Sequence, residues 1–153
     1  MTFWKFLHIL SMFLAVSIFV GQGMLSGAVG RSGDVQALRR VLALEDRFQP
    51  IGGGVFLLGI VFGFITAITG DLDLTQTWLI IAYVLAAVIL LNAFLYHIPY
   101  ARKLEAAIEA GPDDQMSPEL RALVEAPSTI WFNVFDSLVW VAIIYVMVAK
   151  PFS

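Results

Sequence analysis

The chain has no cysteine and only two histidines among its 153 residues. The first absence excludes disulfides, Cys-based zinc sites, iron–sulfur clusters and thiol chemistry, and leaves the redox compartment open. Charge is scarce too: Asp, Glu, Lys and Arg make up 14% of the residues, with a net charge of −3. A pI near 5.2 offers no basic face to neutralise phosphates, which argues against nucleic acid as a partner. The triple glycine 52–54 enters an apolar run and lacks the Lys and Ser/Thr of a phosphate-binding loop. No nucleophile–histidine–acid set is visible, so hydrolysis has no support and the sequence favours a non-enzymatic protein.

What fills the chain instead is apolar. Hydrophobic residues account for 59%, and the mean hydropathy is +0.85, outside the range of soluble domains. The expected fold is all-α and polytopic: a single integral membrane domain over 1–153, a bundle of four transmembrane helices spanning about 4–26, 50–70, 76–100 and 128–149. Phe6 to Gly30 carries no Asp, Glu, Lys or Arg. That is too long for the 7 to 15 residues of a signal-peptide core, so the first stretch reads as a retained helix.

Basic residues orient the bundle. Arg31, Arg39, Arg40 and Arg47 lie in the first loop and Arg102, Lys103 and Arg121 in the third, whereas the second loop, DLDLTQ, has none. Positive loops face the cytoplasm, so both termini and the Asp71–Asp73 loop are expected outside a bacterial cytoplasmic membrane. Short amphipathic helices are expected in both cytoplasmic loops. In GDVQALRRVLALEDRF, Val35, Leu38, Leu42 and Phe48 recur at near-helical spacing. That pattern fits either a helix lying on the membrane surface or a solvated arm of a helical hairpin. ARKLEAAIEA looks like an extension of the third span past Pro99, and GPDD ends it. Ser117 and Pro118 read as N-cap and first position of a short helix that stops before Pro127. Gly59 and Gly63 form a GxxxG pair suited to close helix packing, within the chain ahead of between chains.

The polar residues inside the spans carry the functional content. Asp136 is the costly one, at roughly 2.5–3.5 kcal/mol for a charge in mid-helix, so it needs a partner, a wet niche or a proton. Asn133, Asp136 and Ser137 share one helix face at i, i+3, i+4. His97 lies near the cytoplasmic end of the third span, within reach of Asp136 directly, through Asn133 or through water. A cluster of His97, Asn133, Asp136 and Ser137 fits a proton relay or a histidine held by a carboxylate, and equally a hydrogen-bonded lock on helix register. His8 sits toward the opposite surface of a core ~30 Å thick. Two axial nitrogens on one iron lie only about 4 Å apart, so a haem would use His8 alone or with Met147 on the outer half of the fourth helix. Otherwise His8 is an interfacial histidine bonded to headgroups or backbone.

The segments FLHILSMFLAVSIFVGQGML, RFQPIGGGVFLLGIVFG, WLIIAYVLAAVIL and the closing MVAKPF resemble a bacterial family of predicted integral membrane proteins of undetermined function, over essentially the whole chain. The same landmarks are distantly similar to the copper-resistance protein D family and to the small membrane protoporphyrinogen oxidase of haem synthesis. In that oxidase family a first-helix histidine in an LH context is needed for activity and haem binding, and the chain ends in KPF. His8 and Lys150-Pro151-Phe152 match those positions. The resemblance implies haem b on His8. It does not carry over oxidase activity, because the family's third-helix lysine has no counterpart around Ala82 and its aromatic, arginine-rich motif is replaced by Gly21, Gln22 and Gly23. A few methionines without cysteine or clustered histidine make no copper site, so no metal site is expected. Two classes of function follow: a haem-binding or redox-associated membrane protein, or a non-enzymatic accessory subunit or small-solute transport component whose polar residues serve helix packing. The expected partners are the lipid bilayer and a homodimer or larger membrane complex.

Overall fold

A computed structural model describes residues 2–112 and 114–151, and the regular structure among them is entirely helical. The elements are α1 (Thr2–Ser32), α2 (Val35–Thr69), α3 (Thr77–Asn92), a π-helical turn (Ala93–His97), α4 (Ile98–Ala110), α5 (Pro118–Val124) and α6 (Pro127–Ala149). Four helical stretches, Thr2–Ser32, Val35–Thr69, Thr77–Ala110 and Pro118–Ala149, are long and apolar enough to cross a membrane. At 1.5 Å per residue, α1 with 31 residues and α2 with 35 reach about 46 and 52 Å, well beyond a ~30 Å hydrocarbon core. Both therefore project from the membrane at the end where they join. The stretch of α2 free of charged residues runs from Phe48 to Thr69.

Local chemistry sets the corners. Gly33, at φ 82°, takes the left-handed conformation that turns α1 into α2. Asp34 then caps α2 by accepting from the Ala37 N–H at 2.8 Å. Ser117 caps α5 through the Leu120 N–H, with Pro118 in the first position and Pro127 opening α6, as the sequence indicates. The third span does run on past Pro99. Proline has no N–H to offer the helix, and the chain passes it through a π turn in which the Ile98 N–H reaches back five residues to the Ala93 carbonyl.

The projecting helices fold into a cap with its own core. Val35, Leu38 and Leu42 of α2 are buried against Leu104, Ala107 and Ile108 of α4 and Leu120 and Val124 of α5. Of the two arrangements open for Val35–Phe48, the hairpin arm is therefore the one adopted: its apolar stripe meets protein, and α2 runs unbroken through Pro50 into the span. Phe48, at the end of that stripe, stays exposed.

Within the membrane, Ala15, Phe56, Ile89, Val139 and Trp140 bring α1, α2, α3 and α6 together, with Phe56 and Trp140 edge to face at 5.7 Å. Near the Asp71–Asp73 loop, Trp78, Leu79 and Ala82 of α3 pack on Val146 of α6. Lys150, left-handed at φ 44°, ends α6 and lies 5.2 Å from the Trp78 ring centroid, in cation–π range. Large apolar side chains such as Phe13, Leu95 and Val148 face outward, as they must where lipid is the solvent. Glycines line the α1–α2 seam. A Cβ on Gly52 would meet Ile18 at 3.0 Å, one on Gly59 would meet Met12 at 3.0 Å, and one on Gly63 would meet His8 at 2.9 Å. The GxxxG pair thus serves a contact within the chain.

Candidate functional site

Asp136 projects from α6 toward the end of α3, where both its oxygens are met. The His97 imidazole donates from Nε2 to Oδ2 at 2.5 Å, and the Asn92 amide donates from Nδ2 to Oδ1 at 2.6 Å. A carboxylate only accepts, so the proton of the first bond sits on His97 Nε2. Charge-assisted bonds of this kind are short and about twice as strong as neutral ones, which offsets the cost of the carboxylate in the span. The two side chains keep 30% and 19% of their surface exposed, so the pair is not sealed from its surroundings.

The composition of this set differs from the one expected. Asn133 lies one step round the helix, facing α1, with its Oδ1 only 3.1 Å from where a Cβ on Gly23 would stand. Ser137 donates to the Asn133 backbone carbonyl at 2.8 Å and so is satisfied within its own helix. Asn92 takes the place given to Asn133. On a straight α-helix Asn92 and His97 would point about 140° apart; across a π turn residues five apart stack on one face. Beside them, Tyr96 stacks on Phe132 at 3.7 Å between centroids and meets His97 edge-on at 5.3 Å, which holds the turn against α6.

His8 is 2.7 Å from the Gly59 carbonyl through Nδ1, which therefore donates. In the neutral ring this fixes the tautomer and leaves the Nε2 lone pair as the basic atom. The ring fits over Gly63, whose missing side chain makes the room. Met147 belongs to the other helix pair, against the Trp78–Leu79–Ala82–Val146 cluster. For a haem, His8 has the backbone-held ring typical of a metal-binding histidine, while Met147 is engaged in α3–α6 packing. His8 thus packs in the α1–α2 seam and Met147 between α3 and α6. Of the closing motif, Lys150 and Pro151 are placed and Phe152 lies outside the described residues. Among the described residues no group of three or more His, Asp or Glu could hold a metal ion.

Chemically, the His97–Asn92–Asp136 set can hold one proton between an imidazole and a carboxylate and can tie α3 to α6. No curated protein and no solved structure matches the chain. The model of a family described as predicted integral membrane protein (DUF2269) matches residues 2–151, and four membrane-length apolar helices agree with that description. The chain belongs to this family of predicted integral membrane proteins.

Proposed function

We propose that the protein is a non-enzymatic multi-pass module of a bacterial cytoplasmic membrane, with both termini outside, in which the His97–Asn92–Asp136 set is the polar tie between α3 and α6. The observation that carries this reading is mutual satisfaction: both carboxylate oxygens are engaged by donors from one neighbouring segment. Replacing a whole buried polar set by apolar residues is commonly neutral or stabilising, whereas removing one member is costly. The test is the triple variant Asn92→Leu, His97→Leu, Asp136→Leu. Insertion and thermal stability close to the parent's support a tie, and an unstable or uninserted protein overturns it. The orientation rests on the seven basic residues in the first and third loops. The cysteine-free chain makes it directly testable: a single cysteine at Leu74 should react with an impermeant maleimide from outside, and one at Ala110 only after the membrane is opened.

The second reading is a haem-associated protein. It is favoured by the His8 Nδ1–Gly59 hydrogen bond, which leaves Nε2 as the coordinating atom, and by the resemblance of the LH context of His8 and the closing Lys150-Pro151-Phe152 to motifs of the small membrane protoporphyrinogen oxidase family. A bound haem would supply one-electron redox chemistry; the chain's part is to fix the His8 ring against α2. A Soret band in the protein purified in mild detergent, lost in His8→Ala and kept in His97→Ala, supports this reading, and its absence from haem-supplied cells removes it.

A further inference from the structure

A groove runs between α1 and α2 at the membrane surface nearer the cap, away from the Asp71–Asp73 loop. Its volume is about 290 Å³. Ile18, Gly21 and Leu25 form one wall, and Val41, Leu44 and Phe48 the other. Leu25, Leu44 and Phe48 are each about half exposed, so the groove opens toward lipid rather than into the bundle. At its cap end stands Glu45. This carboxyl lies within a turn of Phe48, where the uncharged part of α2 begins, which sets it at the depth of the headgroups. Its Oε1 is buried and has no hydrogen-bond partner among the described residues, while Ser26 bonds to the carboxyl. A buried acceptor calls for a donor; the groove's other polar residues are Ser17, which donates to the Phe13 carbonyl, and Gln22, and neither bonds to Oε1.

We propose that this groove binds a single membrane phospholipid with a primary-ammonium headgroup, its ammonium on the Glu45 carboxyl and its upper acyl chain along the walls formed by Ile18, Gly21 and Leu44. Three features select that class. An ammonium brings three N–H donors to an acceptor that lacks one. A headgroup with net negative charge would meet the carboxylate with like sign, and a quaternary amine has no N–H to give. The volume, at the small end of ligand sites, suits a headgroup and the adjoining part of a chain rather than a helix of a second protein.

The experiment uses the full chain in mixed micelles holding equal amounts of phosphatidylethanolamine, phosphatidylglycerol and phosphatidylcholine, with bound lipid read by native mass spectrometry. Phosphatidylethanolamine should be retained over the other two by about fivefold, the upper range for a partly exposed charge pair. Glu45→Gln should bring the three near parity. Gly21→Leu should displace the bound lipid without unfolding the protein, since a Cβ at Gly21 meets nothing within 4 Å. Equal retention of all three by the parent, or an unchanged preference in Glu45→Gln, overturns the proposal. So does a dimer that Gly21→Leu converts to a monomer, which would assign the groove to a second copy of the chain.

Discussion

Asn92 donates its side-chain amide to Oδ1 of Asp136 at 2.6 Å, across the contact between the third and fourth spans. Together with His97 on the other oxygen, it makes the carboxylate the meeting point of two donors from one helix. The π turn is what allows this, because it places residues five apart on one face. Pro99 explains the turn: without an N–H there, the preceding residues re-pair one position further back.

Asp136→Ala should be the most harmful single change in the set, since it leaves two donors without an acceptor. The expected loss is about 1–3 kcal/mol, with the partial exposure of the pair favouring the lower part of that range. At roughly 2–4 °C per kcal/mol, thermal unfolding in detergent resolves it. Asn92→Leu should cost about 1 kcal/mol, and more than Asn133→Ala, whose side chain faces Gly23 instead. An Asn133 effect as large as that of Asp136 would show that the two act as a unit.

The His8–Gly59 hydrogen bond depends on the empty space at Gly63. A methyl group there would stand 2.9 Å from His8 Nδ1, too close to keep the ring in place. Gly63→Ala should therefore lower stability by about 1 kcal/mol or more through the lost bond. The same change in a His8→Ala background should be neutral or favourable, because alanine suits a helix better than glycine by roughly 1 kcal/mol. Gly54→Ala is the control: its Cβ meets nothing within 4 Å, and only the propensity gain should appear. Equal effects of Gly63→Ala with and without His8 would mean that the ring does not occupy the notch.

Hydropathy and length made the four spans, the caps at Ser117 and Pro118 and the long third helix legible, because each is a local property of the chain. The pairing of His97 with Asp136 could be anticipated from depth alone, since both lie toward the same membrane surface. Asn92 could not, because its face is decided by a π turn that an ideal helical wheel does not contain. The cap was half visible: the stripe of Val35, Leu38 and Leu42 marks an apolar face, but whether it meets lipid or protein depends on α4 and α5, far along the chain. Glu45 carries no motif at all, and its burial follows from how α1 lies beside α2.

The cap core predicts a large effect from a single truncation outside the membrane. Leu38 is 1% exposed and packed among residues of α4 and α5. Leu38→Ala should cost about 2–5 kcal/mol, the usual range for a leucine removed from a closed core. The loss should appear first as faster tryptic cleavage at Arg39 and Arg40 while the spans remain inserted. If cleavage is unchanged and the helices still resist protease, the stripe is held by lipid and not by the cap.

Glu45 gives a pH dependence of defined sign. Burial raises its pKa from 4.5 to about 7, against the opposing hydrogen bond from Ser26. The folded protein therefore holds a proton that the unfolded chain releases between those two values, and its stability falls as pH rises from 4.5 to about 7 and levels off above that. Asp73 works in the opposite sense, because hydrogen bonds from Thr75 lower its pKa and make its contribution fade in acid. The difference in Tm between Glu45→Gln and the parent cancels that background. In detergent free of phospholipid it should be small at pH 4.5 and grow in favour of the glutamine variant toward pH 8. Adding phosphatidylethanolamine at pH 8 should shrink it again, because an ammonium on the carboxylate offsets the cost of its charge. A difference that stays constant from pH 4.5 to 8 would place the Glu45 carboxyl in water rather than in the groove.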